Sequence, residues 1–305
     1  MRILLDCRPL QEAGVDNERT RFILSCVAGL TAYQGVEWLF LLSGKGVELP
    51  LPGGERIVAR RSFRLISGIV RKYKADLVML TDGRNVRSRA PQCRWVRGSA
   101  SLRLSSGDVV KVPLAAEEGM EVLAADERER IKGAIAEGKE YFLSDITGVD
   151  DPSVIGLLKA FSLFKKRQLS NMKLVLLGRP HPGVIEKLDS YKYRQDVCLD
   201  PGLGRGEVTG GAYGVVHLEG RDRLGLDMLN AWKVHVPVIT TGTEGGEAVL
   251  SVAAGDPVRL ADGLKSLYKD EGFRGELIGR AAVRVADPDL RQGVAMIWEA
   301  IGRNQ

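Results

Sequence analysis

The chain alternates short continuous apolar runs with stretches in which apolar residues recur every three or four positions. "RILLD" (2–6), "EWLFLLS" (37–43) and "ADLVMLTD" (75–82) are runs of the first kind and predict buried strands. Between the first two, "NERTRFILSCVAGLTAY" (17–33) places Phe22, Ile23, Cys26, Val27 and Leu30 on one helical face. "RSFRLISGIVRKYK" (61–74) predicts a second helix feeding the next strand. A second round opens with strand "EYFLSD" (140–145), helix "PSVIGLLKAFSLFKKR" (152–167) and strand "KLVLLG" (173–178). Helix "PGVIEKLDSY" (182–191) and strands "QDVCL" (195–199) and "YGVVHL" (213–218) follow. A helix opening at Gly225-Leu226, strand "VPVITT" (236–241), helix "PVRLADGLKSLYKD" (257–270) and helices near 272–286 and 288–302 complete the pattern.

Strand–helix alternation predicts parallel sheets in α/β domains. At 305 residues the chain exceeds what one hydrophobic core usually supports. Two rounds therefore predict two successive Rossmann-like domains, 1–135 and 140–287, with the boundary in "AIAEGKE" (134–140). Between Arg84 and Gly119 the periodicity fades and Ser, Gly and Arg take over.

Composition adds limits. Apolar content of 44% and charged content of 27% fit a soluble globular protein. No apolar run approaches the roughly 20 residues that cross a bilayer. "MRILLDCRPL" lacks the parts of a secretory leader. Cys7, Cys26, Cys93 and Cys198 are scattered without metal-finger spacing, which predicts a reduced, cytoplasmic protein. The net charge of +5 is uneven: from Arg56 to Arg103 thirteen Lys or Arg face two acids, Asp76 and Asp82. Such an excess implies an anionic neighbour or a solvated basic face. Helix 61–74 sets Phe63, Ile66, Ile69, Val70 and Tyr73 against Arg60, Arg61, Arg64, Arg71, Lys72 and Lys74. It suits the inner, anionic face of a membrane, or packing on its own sheet. Nucleic acid is disfavoured, because no recognisable module or interleaved aromatic platform is present.

Candidate chemistry is sparse. "GLGRG" (202–206) is a weak glycine cluster and predicts a plain loop. No P-loop and no GxSxG nucleophile is present. His181, His217 and His235 lack metal spacing and predict structural or surface roles, so no metal is expected. The step Gly225-Leu226 is different. A glycine opening a helix, followed by a buried strand, offers backbone N–H groups and a positive dipole end to a phosphate.

The order and spacing of these segments resemble the retaining glycosyltransferases of family 4. "MRILLDCRPLQEAG" is similar to that family's opening strand and loop. "EYFLSDI…PSVIGLLKAFSLFKKRQLSNMKLVLLG" resembles the start of its donor-binding domain, and "YGVVHLEGRDRLGLDMLNAWKVHVPVIT" its donor segment. "GDPVRLADGLKSLYKDEGFRGELIGRA" resembles its closing helices. The likeness spans nearly all of 140–305 and, more loosely, 1–82. It implies the GT-B architecture, two Rossmann-like domains facing across a cleft, with residues 288–305 crossing back to a shortened first domain. It also implies a nucleotide-sugar donor, no separate cofactor, and a glycan or lipid-linked acceptor. Two family glutamates, with seven residues between them, fall on Asp222, beside the transferred sugar, and Asn230, on the ribose. Gly225 and Leu226 match the diphosphate cradle.

Departures from the family are as plain. The loop "DITGVDDPSV" carries Asp145, Asp150 and Asp151 where a cation pair is usual. "AGVDNERTR" replaces a glycine loop, and no histidine stands in the first domain. Two readings stay open: a divergent hexosyltransferase of glycan or cell-envelope synthesis using Asp222, or a non-catalytic homologue. The latter would support a partner glycosyltransferase or bind a glycan or membrane surface. Whether the chain is an enzyme is open on these residues alone.

Overall fold

The computed structural model describes residues 1–59, 64–82, 86, 88, 90–96, 100–220, 223–285 and 290–303, with the backbone alone for residues 64, 65 and 303. The chain divides into two compact units, Met1–Leu114 with Pro288–Gln305, and Ala115–Asp287.

The first unit opens with β1 (Arg2–Asp6), α1 (Arg8–Ala13), α2 (Glu18–Thr31) and β2 (Glu37–Leu42). Then come β3 (Glu55–Val58), α3 (Arg64–Tyr73), β4 (Leu77–Leu80), β5 (Gln92–Trp95), β6 (Ser101–Leu104) and β7 (Val109–Lys111). Among the described residues these strands form one sheet in the order β3-β2-β1-β4-β5-β6-β7. Strands β1 to β5 pair in parallel, whereas β6 and β7 run antiparallel. The fading pattern after Arg84 thus hides three short strands of three or four residues, too brief for periodicity to register. Asn17 caps α2 by accepting the Arg19 and Thr20 N–H groups. Helix α3 buries Ile66 and Val70 in the cluster with Leu4, Val78 and Leu80. Its own sheet covers these two residues, with Ile69 and Tyr73 packed alongside. Arg60, Arg61 and Phe63, expected on the same helix, lie outside the described residues.

The second unit comprises α4 (Ala125–Ala136), β8 (Tyr141–Asp145), α5 (Asp151–Gln168), β9 (Lys173–Leu177), α6 (Pro182–Asp189) and β10 (Val197–Leu199). It continues with α7 (Arg205–Gly210), β11 (Gly214–His217), α8 (Leu226–Lys233), β12 (Val238–Thr240), β13 (Leu250–Ser251), α9 (Pro257–Lys269) and α10 (Glu271–Val285). Its sheet is parallel throughout, ordered β10-β9-β8-β11-β12-β13. Continuous apolar runs form these strands because both faces are covered. Phe142, Leu174, Leu176, Val216 and Ile239 pack to one side, with α5 and α9. Tyr141, Leu143, Val175, Leu177, Val215 and Val238 pack to the other, with Met228, Ala231 and Trp232 of α8. The chain builds outward from β8 to β10, then returns to place β11 on the other side of β8. The strand order therefore reverses between β8 and β11.

The chain ends in α11 (Leu290–Arg303), which packs on α2 within the first unit. Val294, Ile297 and Ile301 are buried, and Trp298 stacks on Tyr33 with ring centroids 4.7 Å apart.

Candidate functional site

Open parallel sheets bind ligands beyond the carboxyl ends of their strands, where strand order reverses. In the second unit that point lies between Asp145, the last residue of β8, and His217, the last of β11. Helix α8 starts beside it. Gly225 is the helix N-cap at φ +77°, a left-handed conformation that L side chains rarely adopt, and a Cβ there would also meet Met228 Cε at 2.7 Å. Leu226 is buried, and Asp227 sits in the first turn, where a helix dipole favours negative charge.

A buried ionic network fills the reversal point. His217 Nδ1 lies 2.7 Å from Asp227 Oδ1, which also accepts the Met228 N–H. An ionised carboxylate only accepts, so Nδ1 carries the proton. Arg223 donates to Asp227 Oδ2 at 2.5 Å and to the Asp145 carbonyl at 2.6 Å. Arg205, the first residue of α7, donates to Asp145 Oδ2 at 2.5 Å, while Asp145 Oδ1 accepts the Thr147 N–H. Burial alone would raise the Asp227 pKa, but Arg223 and His217 hold the carboxyl well below the usual range. Burial likewise works to lower the Arg205 pKa. Asp145, Glu117 and Asp227 more than offset it, and the group ends raised. Two arginines thus balance two aspartates.

Asn230 lies on α8 one turn further on and is 1% exposed. Its Oδ1 accepts the Glu117 N–H at 2.9 Å, and its Nδ2 donates to Glu117 Oε2 at 2.6 Å. The residue expected at the ribose is thereby coupled to a carboxylate 113 positions earlier in the chain. The space enclosed by Leu143, Asp145, Arg205, Thr209, Asp227 and Asn230 is about 10 Å³, enough for one water and far short of a nucleotide.

Gly225, Leu226 and Asn230 all fall on the helix beside the reversal point. Asp222 lies outside the described residues. The loop after β8 differs from its expected character as an unneutralised run of acids. Asp145 is 2% exposed and paired with Arg205, Asp150 caps α5 through the Ser153 N–H, and Asp151 lies 3.6 Å from His181. Cations reach the loop from distant segments, which no local reading of 145–154 reveals. "GLGRG" is also more than a loop, since Gly204 caps α7 and delivers Arg205. Sequence reasoning did not find the pairings of Arg205, Arg223, Asp227 and Glu117, and His217, expected in a structural or surface role, is buried within the same network. Only the four-residue spacing of Arg223 and Asp227 left a readable trace.

No protein-family model matches the chain, and no curated protein sequence matches it. Solved structures do. WaaG, a glycosyltransferase involved in lipopolysaccharide biosynthesis, is 14% identical, with 97% of this chain and 98% of that chain covered and a TM-score of 0.71. Anabaena HepE, in complex with UDP and glucose, is 12% identical over 99% of each chain, with a TM-score of 0.74. S. aureus MnaA with UDP is 13% identical over 95% and 94%, with a TM-score of 0.61. The chain therefore has a GT-B-like α/β fold.

Proposed function

We propose that the chain is a glycosyltransferase-like protein that takes a nucleotide-sugar on its second unit, with the diphosphate at the N-terminus of α8. The carrying observation is the helix opening at Gly225, set beside the strand-order reversal of a GT-B-like fold. HepE and MnaA, which share this fold, were solved with UDP. The diphosphate meets the first turn of α8 from outside the ionic network, because the interior space is too small for it. The ribose is taken by Glu117, whose carboxylate the buried Asn230 orients, and Asp222 matches the position that the resemblance gives to the transferred sugar.

Turnover by the chain alone is feeble in this reading. Arg205 and Arg223 are already neutralised by Asp145 and Asp227, so neither contributes a spare charge to a departing diphosphate. A glycan or lipid-linked acceptor and a partner glycosyltransferase at the inner membrane face complete the proposal. Titration of UDP, GDP and their sugar conjugates by calorimetry tests it. Binding of at least one, lost in Gly225→Val while Asn17→Ala still binds, is expected. Unchanged affinity in Gly225→Val would place the ligand elsewhere, and no binding of any would remove the donor reading.

A further inference from the structure

Two arginines face one another across the antiparallel edge of the first unit. Register sets Arg94 of β5 directly opposite Arg103 of β6, so both side chains leave the same face. The neighbouring residues Cys93, Trp95, Leu102 and Leu104 are buried on the other face. Like charges directly opposed across two strands destabilise the pair. Among the described residues, Arg103 has no carboxylate within ion-pair distance. An open cavity of about 490 Å³ lies beside the two arginines, walled by Val86, Gln92, Leu104 and Ser105. That volume falls within the roughly 300–1,000 Å³ of small-molecule sites.

The walls are braced. Gln92 Nε2 donates to the Val86 carbonyl at 2.6 Å, and the Ser105 hydroxyl accepts the Gln92 N–H at 2.6 Å. The surrounding sequence adds a second constraint. From Arg84 to Arg103, twenty residues hold six arginines, no lysine and no acid. A merely solvated face has no need of arginine over lysine. The planar guanidinium fork is the group that binds phosphate oxygens in bidentate fashion.

We propose that this edge is a binding site for a phosphate monoester, its phosphate bridging Arg94 and Arg103 and its body lying in the cavity. A soluble phosphorylated molecule and a lipid headgroup share this chemistry. The site stands apart from the nucleotide-sugar reading, which concerns the other unit.

The test uses the full chain and its Arg103→Gln and Arg103→Lys variants. Thermal melts are taken with inorganic phosphate or glycerol 3-phosphate, and flotation with phosphatidylcholine vesicles with or without phosphatidic acid. Without phosphate, Arg103→Gln should melt no lower than the parent, because the like-charge repulsion is gone. Phosphate should raise the parent's Tm, and Arg103→Gln should weaken the response at least tenfold in concentration, with Arg103→Lys between. A response to soluble esters assigns a phosphorylated small molecule; one confined to phosphatidic acid vesicles assigns a lipid headgroup. UDP binding should be untouched in both variants. No response to any phosphate probe, the same response in Arg103→Gln, or tighter retention on a single-stranded oligonucleotide than on phosphate vesicles would overturn the proposal.

Discussion

Asp227 stays ionised in a buried position because three donors converge on it: His217, Arg223 and the Met228 N–H. Asp227→Asn removes the charge and leaves Arg223 buried without its carboxylate. Removing one partner of a buried pair typically costs about 3–5 kcal/mol. Urea unfolding at pH 7 should show a loss of that size, and parental stability would mean the network is not needed. The pH dependence has a definite sign. The folded-state pKa is lowered from the ordinary 3.8, so the contribution is complete above about 3.8 and is lost as pH falls below it. Asp227→Asn should lack that acid limb, read as a flatter stability curve between pH 4 and 2. Little of this was legible. An acid in a first helical turn is ordinary, and its partners His217 and Arg223 gain meaning only once β11 ends beside α8. Arg205 and Glu117 reach the site from 60 and 113 residues away from Asp145 and Asn230, distances at which sequence carries no pairing signal.

At the scale of elements, buried strands declared themselves best. β1, β2, β4, β8, β9, β11 and β12 are uninterrupted apolar runs because helices cover both faces, and their flanking helices show the matching three-to-four periodicity. The edge elements did not. β5 to β7 are short and exposed along one face, and α7 has only six residues, so neither period has room to repeat. Caps behave more locally. Asn17 ahead of α2 holds two N–H groups, and Asn17→Ala should cost about 1 kcal/mol with no change in fold. A smaller loss than about 0.3 kcal/mol by denaturant titration would mean that solvent replaces the cap. The approach of α2 to α11 is similarly specific. A Cβ at Gly29 would come within 2.7 Å of Val294, so Gly29→Val should destabilise by about 1–3 kcal/mol, read as a lower Tm.

The whole molecule has two units with separate cores, and α11 belongs to the core of the first. Truncation before Leu290 strips Val294, Ile297 and Ile301 from α2 and should weaken the first unit selectively. Amide exchange should accelerate across β1 to β7 and remain slow in β8 to β12; uniform acceleration would mean that the units do not unfold separately. The GT-B-like architecture was legible because it is written in the order and spacing of many elements rather than in any single residue. Of the proposed donor site, only the backbone feature, the Gly225-Leu226 helix start, left a mark in the sequence, while the ionic network beside it depends on contacts no motif records. In the proposed function this helix start takes a nucleotide diphosphate. Adding UDP to ¹⁵N-labelled protein and following backbone amide resonances tests it most directly. The largest shifts should fall on Leu226, Asp227 and Met228, with smaller ones at Glu117 and Asn230. Shifts confined to other segments, or none at saturating UDP, would contradict it.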